Sequence, residues 1–390
     1  MKKLLLSINL FVLLFIVASC KEKTAPENSK SESQTNIKDS IQTNEEINPL
    51  RIIGFYHGND TDIAKYDIEK LTHIVYCFTR LNGHKIGFRQ EQDKEALRKL
   101  SALKENYPNL KVIVSFGGWG GCYSCSTVFA RDLYRKSFAK SVKDLLIEYN
   151  ADGFDLDWES PVIGGYQNHK ASEDDKDNFT ALIKELRTTL PIEMELSFDA
   201  NTFEAYIEKS VDWDSVMPLV DYVNLMTYSL PGNDPNRTGH HTALYSSPAQ
   251  TESIDLAIQR FDSLGIPKHK LIIGASFYGE MVKTVDTINH GLGREGAFER
   301  NINYQQIANN LLKDSNYTYH WDSTSKAPYL YNSINQTFVT YDDRKSVSLK
   351  TKYALENNLG GIMFWKLNAD SYDNGLLEAI FETSASNSNK

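Results

Sequence analysis

The stretch Asp152-Gly153-Phe154-Asp155-Leu156-Asp157-Trp158-Glu159 decides how this chain is read. Successive side chains of a β-strand point to opposite faces. As a strand, the run therefore puts Asp155, Asp157 and Glu159 on one face and Phe154, Leu156 and Trp158 on the other. A long amphipathic pattern precedes it and a Gly/Pro-containing loop follows, the setting of a strand in an α/β fold, where both faces are covered. Three carboxyl groups in a covered environment repel one another, and at least one is expected to hold its proton near neutral pH. General-acid catalysis on a bond with a poor leaving group requires such a proton. Two blander readings exist, a solvated acidic edge strand and a Ca²⁺ site. The spacing is not that of an EF-hand loop, and the ordered Asp-x-x-Asp-x-Asp-x-Glu is far more specific than a pair of acids.

From Arg51 onward, short β-branched or aromatic runs alternate with helical patterns, the signal of βα units and a parallel sheet. Strands are expected at 51–56, 72–78, 110–116, 152–158, 193–199, 221–228, 270–278 and 359–365. Phe138, Val142, Leu145 and Tyr149 keep a helical spacing, as do Phe179, Leu182, Ile183 and Leu186, and Ile254, Ala257, Ile258 and Phe261,. Eight such strands with intervening helices predict an α/β fold, a (β/α)8 TIM barrel. Active sites of that fold lie at the C-terminal ends of the strands, and Glu159 falls at such an end. Between Tyr278 and Leu359 the chain is much longer than one βα unit needs. The strand-like segments Tyr329–Tyr331 and Phe338–Tyr341, then a helix around Ser346–Glu356, predict an inserted α+β subdomain at about 281–343, between strands seven and eight.

The length of 390 residues accommodates one barrel, and the net charge of −9 argues against a nucleic-acid partner,. In residues 1–20, Lys2 and Lys3 precede an apolar run from Leu4 to Ala18. That run is shorter than the ~20 residues that span a bilayer and reads as a targeting segment. Residues 21–48, rich in Lys, Glu, Ser, Thr, Asn and Gln, cannot offset their ordering entropy by burial and are expected to form a disordered tether. The barrel then occupies 49–383, and a polar tail 384–390. Cys122 and Cys125 lie in a Gly-rich loop with no second Cys pair or matching His pair. No zinc site is expected there, and in an oxidising compartment a local disulfide is favoured. Cys77 reads as a small buried apolar residue.

Further motifs fall at the expected strand ends. Ser115-Phe116-Gly117-Gly118-Trp119 closes strand three, Asn224-Leu225-Met226-Thr227-Tyr228 strand six and Gly360-Gly361-Ile362-Met363-Phe364-Trp365 strand eight. Gly239–Tyr245, Phe277-Tyr278-Gly279 and Ala327–Tyr331 lie between them. Together with the acid-bearing strand, and in this order, these segments resemble those of the family 18 glycoside hydrolases, the chitinases and their relatives, from about residue 51 to 380.

The resemblance implies hydrolysis of β-1,4 bonds between N-acetylglucosamine units, assisted by the substrate and with retention of configuration. Glu159 would protonate the glycosidic oxygen while the substrate's own N-acetyl carbonyl attacks the anomeric carbon. Asp157 would face the acetamido N–H, Asp155 would share a proton with Asp157, and Asp152 would support the strand end. Tyr228 would hold the acetamido oxygen, Trp365 would floor the cleaved sugar and Trp119 would stack on the next. Tyr56, Phe78, Gly118, Met226 and Tyr278 complete the expected substrate-binding set. No metal and no organic cofactor is implied.

Two other functions fit the same resemblance. An endo-β-N-acetylglucosaminidase acting on N-glycans is disfavoured by the insertion, and a catalytically inactive chitin-binding lectin by the presence of Glu159. Two positions depart from the family pattern: Ser229 stands where Asp is usual, and Glu280 where many relatives carry Arg. If Glu280 reaches the cleft, its charge is expected to raise the pKa of Glu159. Finally, Val17-Ala18-Ser19-Cys20 resembles a bacterial lipobox, which implies cleavage before Cys20 and lipidation of its thiol. Lys21 rather than Asp after Cys20 favours the outer membrane. The expected partners are chitin or N-acetylglucosamine oligosaccharides and, through the lipid anchor only, a membrane; the protein is expected to be a monomer.

Overall fold

Strands β1 (Arg51–His57), β2 (His73–Asn82, with a short return strand β3, Lys85–Gly87), β4 (Lys111–Gly117), β5 (Gly153–Asp157), β6 (Glu195–Ala200), β7 (Tyr222–Leu225) and β8 (Leu271–Ser276) follow one another with helices between them. The computed structural model describes residues 50–387 except 59–61, 166–168, 231, 233 and 235. The expected targeting segment, Cys20, the tether and the last residues of the tail lie outside the described residues. After β8 comes an antiparallel sheet of β9 (Tyr278–Thr284), β10 (Gly296–Asn303), β11 (Thr318–Asp322), β12 (Ala327–Asn332) and β13 (Thr337–Thr340). β14 (Gly361–Trp365) then returns to the parallel sheet, whose order β1-β14-β8-β7-β6-β5-β4-β2 is closed by pairing of β1 with β2. This is the closed (β/α)8 barrel that the alternating pattern predicts.

Alternation along each strand separates two cores. Ile53, Phe55, Val75, Cys77, Ile113, Tyr222, Ile272 and Met363 fill the lumen. Their strand neighbours Ile52, Tyr56, Ile74, Tyr76, Val112 and Val114 meet the helices outside. The helix Asp132–Glu148 buries Phe138, Val142 and Leu145, and the helix Asp175–Thr189 buries Phe179, Leu182, Ile183 and Leu186. The helix Ile254–Ser263 buries Ile254, Ala257, Ile258 and Phe261, and the Ser253 hydroxyl caps it by accepting from the Leu256 N–H. Each such side chain larger than alanine contributes about 1.5–3 kcal/mol on full burial.

Of the strand ends that differ from the expected ones, two bear on the site. Strand six stops at Leu225 rather than 228 because the Thr227 hydroxyl takes over the ladder to β8, donating to Gly274 O at 2.8 Å and accepting from Gly274 N at 2.8 Å. Tyr228 thereby lies beyond the sheet, while Met226 N still donates to Ala200 O of β6 at 2.9 Å. The expected strand 270–278 divides at Phe277, so the inserted sheet starts at Tyr278 rather than near 281. A fully buried ion pair pins that insertion to the barrel: Lys350 Nζ lies 2.6 Å from Asp342 Oδ2, which also accepts from Ser276 N at 3.0 Å.

Asp152 supports the other end of its strand from the one carrying Glu159. It accepts from Val112 N at 2.7 Å and pairs with Lys104 at 2.9 Å, at the N-terminal face of the barrel. Glu195 lies at the same face, bonded to His73 Nε2 at 2.9 Å and to Lys111. Among the described residues no helix is long and apolar enough to cross a membrane.

Candidate active site

β5 places its acids by register. Asp155 pairs with Ser115 of β4 and Ser197 of β6, and in a parallel barrel such partners meet in the lumen. Fully buried, its carboxylate accepts from Ser115 Oγ at 2.8 Å, Ser197 Oγ at 2.6 Å and Asn224 Nδ2 at 3.2 Å. Burial nonetheless pushes its pKa up. Asp157, also buried, is pushed well above the usual carboxylate range by burial and then by the charges of Glu159 and Asp155.

A third lumen acid, Asp199 of β6, was not identified from the sequence. It is hydrogen-bonded to both Asp155 and Asp157, and burial followed by those two charges pushes it well up. Asp157 Oδ1 and Asp199 Oδ1 find no donor among the described residues, a deficit that a proton shared between acids fills. The pair expected to share a proton, Asp155 and Asp157, thus has Asp199 as a third buried carboxyl beside it. The signal was present, since Ser197 and Asp199 alternate on a strand next to β5.

Glu159 stands two residues beyond Asp157, half-buried at the C-terminal mouth, with its backbone carbonyl held by Asn201 Nδ2 at 2.8 Å. Burial pushes its carboxyl up to about 7. Glu280 contacts Ser229 and His241, at 3.0 and 3.5 Å, and burial is the one cause of the raised Glu159 carboxyl. The expected electrostatic lift of Glu159 by Glu280 is therefore replaced by a desolvation effect.

The mouth opens into a cleft of about 690 Å³ that brings together Asp157, Glu159, Tyr228, Phe78, Trp119, Met226, Tyr278 and Trp365. Phe78 and Trp365 stack at 5.5 Å with an interplanar angle of 18°. Trp119, 64% exposed, lines the same cleft. The edge of Tyr228 meets Tyr278 at 6.3 Å. Gly118 lies beside Trp119 and Glu159; a Cβ there would come 2.4 Å from the Phe78 ring, and its φ of +75° suits glycine,. The loop that follows is closed by a Cys122–Cys125 disulfide. Cys77 is buried in the lumen, which pushes its thiol up.

Tyr56 is not brought to the cleft. It lies one position out of phase, packed in the outer core, while Phe55 faces the lumen and His57 lines the cleft. Phe78 does reach the cleft beside inward Cys77, because the pairing of β2 with β4 shifts register between Tyr76 and Thr79. Arg80, Asn201, Asn301, Asn303 and Lys366 also line the cleft and were missed; isolated polar residues at strand ends carry no periodic signal. Among the described residues no group of three or more His, Cys, Asp or Glu could hold a metal ion.

A closed (β/α)8 barrel with an acid of raised pKa at its mouth, buried acids below and aromatic walls has the make-up of a glycoside hydrolase. The model of "Glycosyl hydrolases family 18" matches residues 51–370, and the chain belongs to that family. Chitinase A1 of Niallia circulans is 28% identical over 402 residues, spanning 84% of this chain and 58% of its own length. Among solved structures, the chitinase ChiW of a Paenibacillus is 34% identical with a TM-score of 0.80, over 86% of this chain and 42% of that one. A family 18 N-acetylglucosaminidase from Paenibacillus barengoltzii is 31% identical with a TM-score of 0.78, over 86% of this chain and 99% of that one.

Proposed function

We propose that the protein is a chitinase that cleaves β-1,4 bonds between N-acetylglucosamine units, with the substrate's acetamido oxygen as nucleophile. One observation carries this reading: Glu159 stands at the cleft with its carboxyl raised to about 7, above Asp157, Asp155 and Asp199, three buried acids whose carboxyls are all pushed up. A conventional retaining glycosidase needs an ionised carboxylate ~5–5.5 Å from the acid as nucleophile. Asp157, held toward its protonated form in a buried cluster, is poorly suited to that role.

In the proposed reaction Glu159 donates its proton to the glycosidic oxygen as the C–O bond breaks. The acetamido carbonyl oxygen bonds to the anomeric carbon, and Asp157, passing its own proton to Asp155, accepts from the acetamido N–H and offsets the positive charge of the oxazolinium. Glu159, now ionised, takes a proton from water, which opens the ring from the face that the leaving group vacated. Tyr228 holds the acetamido oxygen, Trp365 floors the reacting sugar and Trp119 stacks on its neighbour. The test is product analysis on N-acetylglucosamine oligomers beside a high-mannose glycopeptide. Cleavage of the glycopeptide alone, or glucosamine at the new reducing ends of chitosan products, would refute the reading.

We also propose that Cys20 is lipidated and anchors a monomer at the outer membrane, the reading supported by the lipobox-like sequence and the following Lys21. Labelling with a radioactive fatty acid should mark the wild type and not Cys20→Ser. An unlabelled wild type would rule the anchor out.

A further inference from the structure

We propose that Glu280, with Ser229 and Asn301, determines specificity by walling a subsite that takes a sugar with a free, protonated amino group. The substrate is then a partially deacetylated chain; this rests on the hydrolase reading above and concerns a sugar other than the reacting one.

The wall follows from strand geometry. In the antiparallel pair β9–β10, Glu280 stands opposite Asn301 and Tyr278 opposite Asn303. Directly opposed residues share a face, as do residues two apart along a strand, so these four side chains project together. Tyr278, Asn301 and Asn303 line the cleft, as does Ser229 from the β7 end. Glu280 therefore belongs to the cleft-facing side of the inserted sheet, and its side chain is 23% exposed.

Among the described residues, both partners of the carboxylate meet the same oxygen, Oε1. The Ser229 hydroxyl donates to Glu280 Oε1 at 3.0 Å, and because its proton is thus committed it accepts from Tyr278 OH at 2.8 Å. Among the described residues the one ion-pair partner of Glu280 is the buried His241, at 3.5 Å. Burial works against ionisation of Glu280, but His241 and Ser229 hold its carboxyl below the usual range. The cations of the cleft are engaged elsewhere, Arg80 with Gly117 O and Lys366 with His57 Nδ1 at 3.4 Å. A sugar subsite walled by an ionised carboxylate, an amide and a hydroxyl offers acceptors only a short reach apart. An ammonium has three donors and the matching charge, whereas an acetamido group offers one N–H donor, no charge, and a carbonyl that finds no donor in the carboxylate.

The experiment compares wild type and Glu280→Gln on a fully acetylated N-acetylglucosamine oligomer and on oligomers carrying one glucosamine at defined positions, with sequencing of the products from partially acetylated chitosan. Wild type should enrich glucosamine at one fixed product position other than the new reducing end. The ratio of kcat/KM values, mono-deacetylated over fully acetylated, should fall about five-fold in Glu280→Gln and shrink in wild type at high salt. Calorimetric binding of the same oligomers to Glu159→Gln, with and without Glu280→Gln, should show the same ratio without turnover. Identical ratios and product positions in both proteins, with both cutting the acetylated oligomer, would remove Glu280 from specificity and leave the hydrolase reading standing. A wild type that cuts no oligomer would overturn both.

Discussion

Moving the pH across neutrality should titrate the acid that the reaction needs. An ordinary glutamate, with a pKa of 4.5, would keep its proton at pH 7 in roughly one molecule in 300. Burial pushes Glu159 up to about 7, so about half the molecules carry it. The site therefore gains roughly 150-fold in active protonation state at neutral pH, equivalent to about 3 kcal/mol of disfavoured ionisation. Since the acid works protonated, activity should be full below about pH 6 and fall tenfold per unit well above 7. The assay is kcat/KM for a fluorogenic N-acetylglucosamine disaccharide from about pH 4 to 9, which reports the free enzyme. Because Glu159 and Asp157 interact, the limb belongs to the acids as a group. Glu159→Gln should lose about 10²–10⁴-fold in kcat and keep oligosaccharide binding. An alkaline limb near 4.5, or turnover by Glu159→Gln within tenfold of wild type, would refute the reasoning.

Asp199→Ala should leave Asp155 and Asp157 short of a partner and destabilise the protein by about 1–3 kcal/mol in urea unfolding. Asp199→Asn should fold more nearly like wild type yet lose kcat, since an amide cannot exchange the shared proton; equal kcat would exclude Asp199 from the cluster's chemistry. Glu195 pairs with His73 and Lys111, which hold its pKa near 2 against the opposing effect of burial. Its folded value lies below the unfolded one. It therefore contributes up to about 3 kcal/mol of stability above pH 4.5, lost as the pH falls toward 2. The gap in unfolding free energy between wild type and Glu195→Gln should close over that window, and a gap independent of pH would contradict this. Lys350→Met strands the buried Asp342 carboxylate, and calorimetric or urea unfolding should show a loss of about 3–5 kcal/mol, partly recovered by adding Asp342→Asn. An unchanged midpoint would show that the pair does not pin the insertion.

The barrel and its acid strand were legible in the sequence because both depend on local periodicity. Period-two alternation in Asp152–Glu159 and period-3.6 stripes such as Phe138, Val142 and Leu145 report burial directly, one residue at a time. Trp119, Tyr228 and Trp365 were legible as motifs at strand ends. Tertiary structure alone decided which side of the barrel wall a residue meets. Tyr56 lies one position out of phase, a difference that the all-apolar run around it conceals, and Phe78 is turned inward by a register shift that needs β4 as a partner. Asp199, Asn224 and Ser197 gather on Asp155 only once β6 lies beside β5 and β7 beside β6. The proton affinity of Glu159 and the facing of Glu280 toward Ser229 likewise arise from desolvation and from contacts across 51 residues of chain. Periodicity records whether a side chain is buried; which charges and hydrogen bonds surround it is set by residues distant in sequence, and only the folded barrel brings them together.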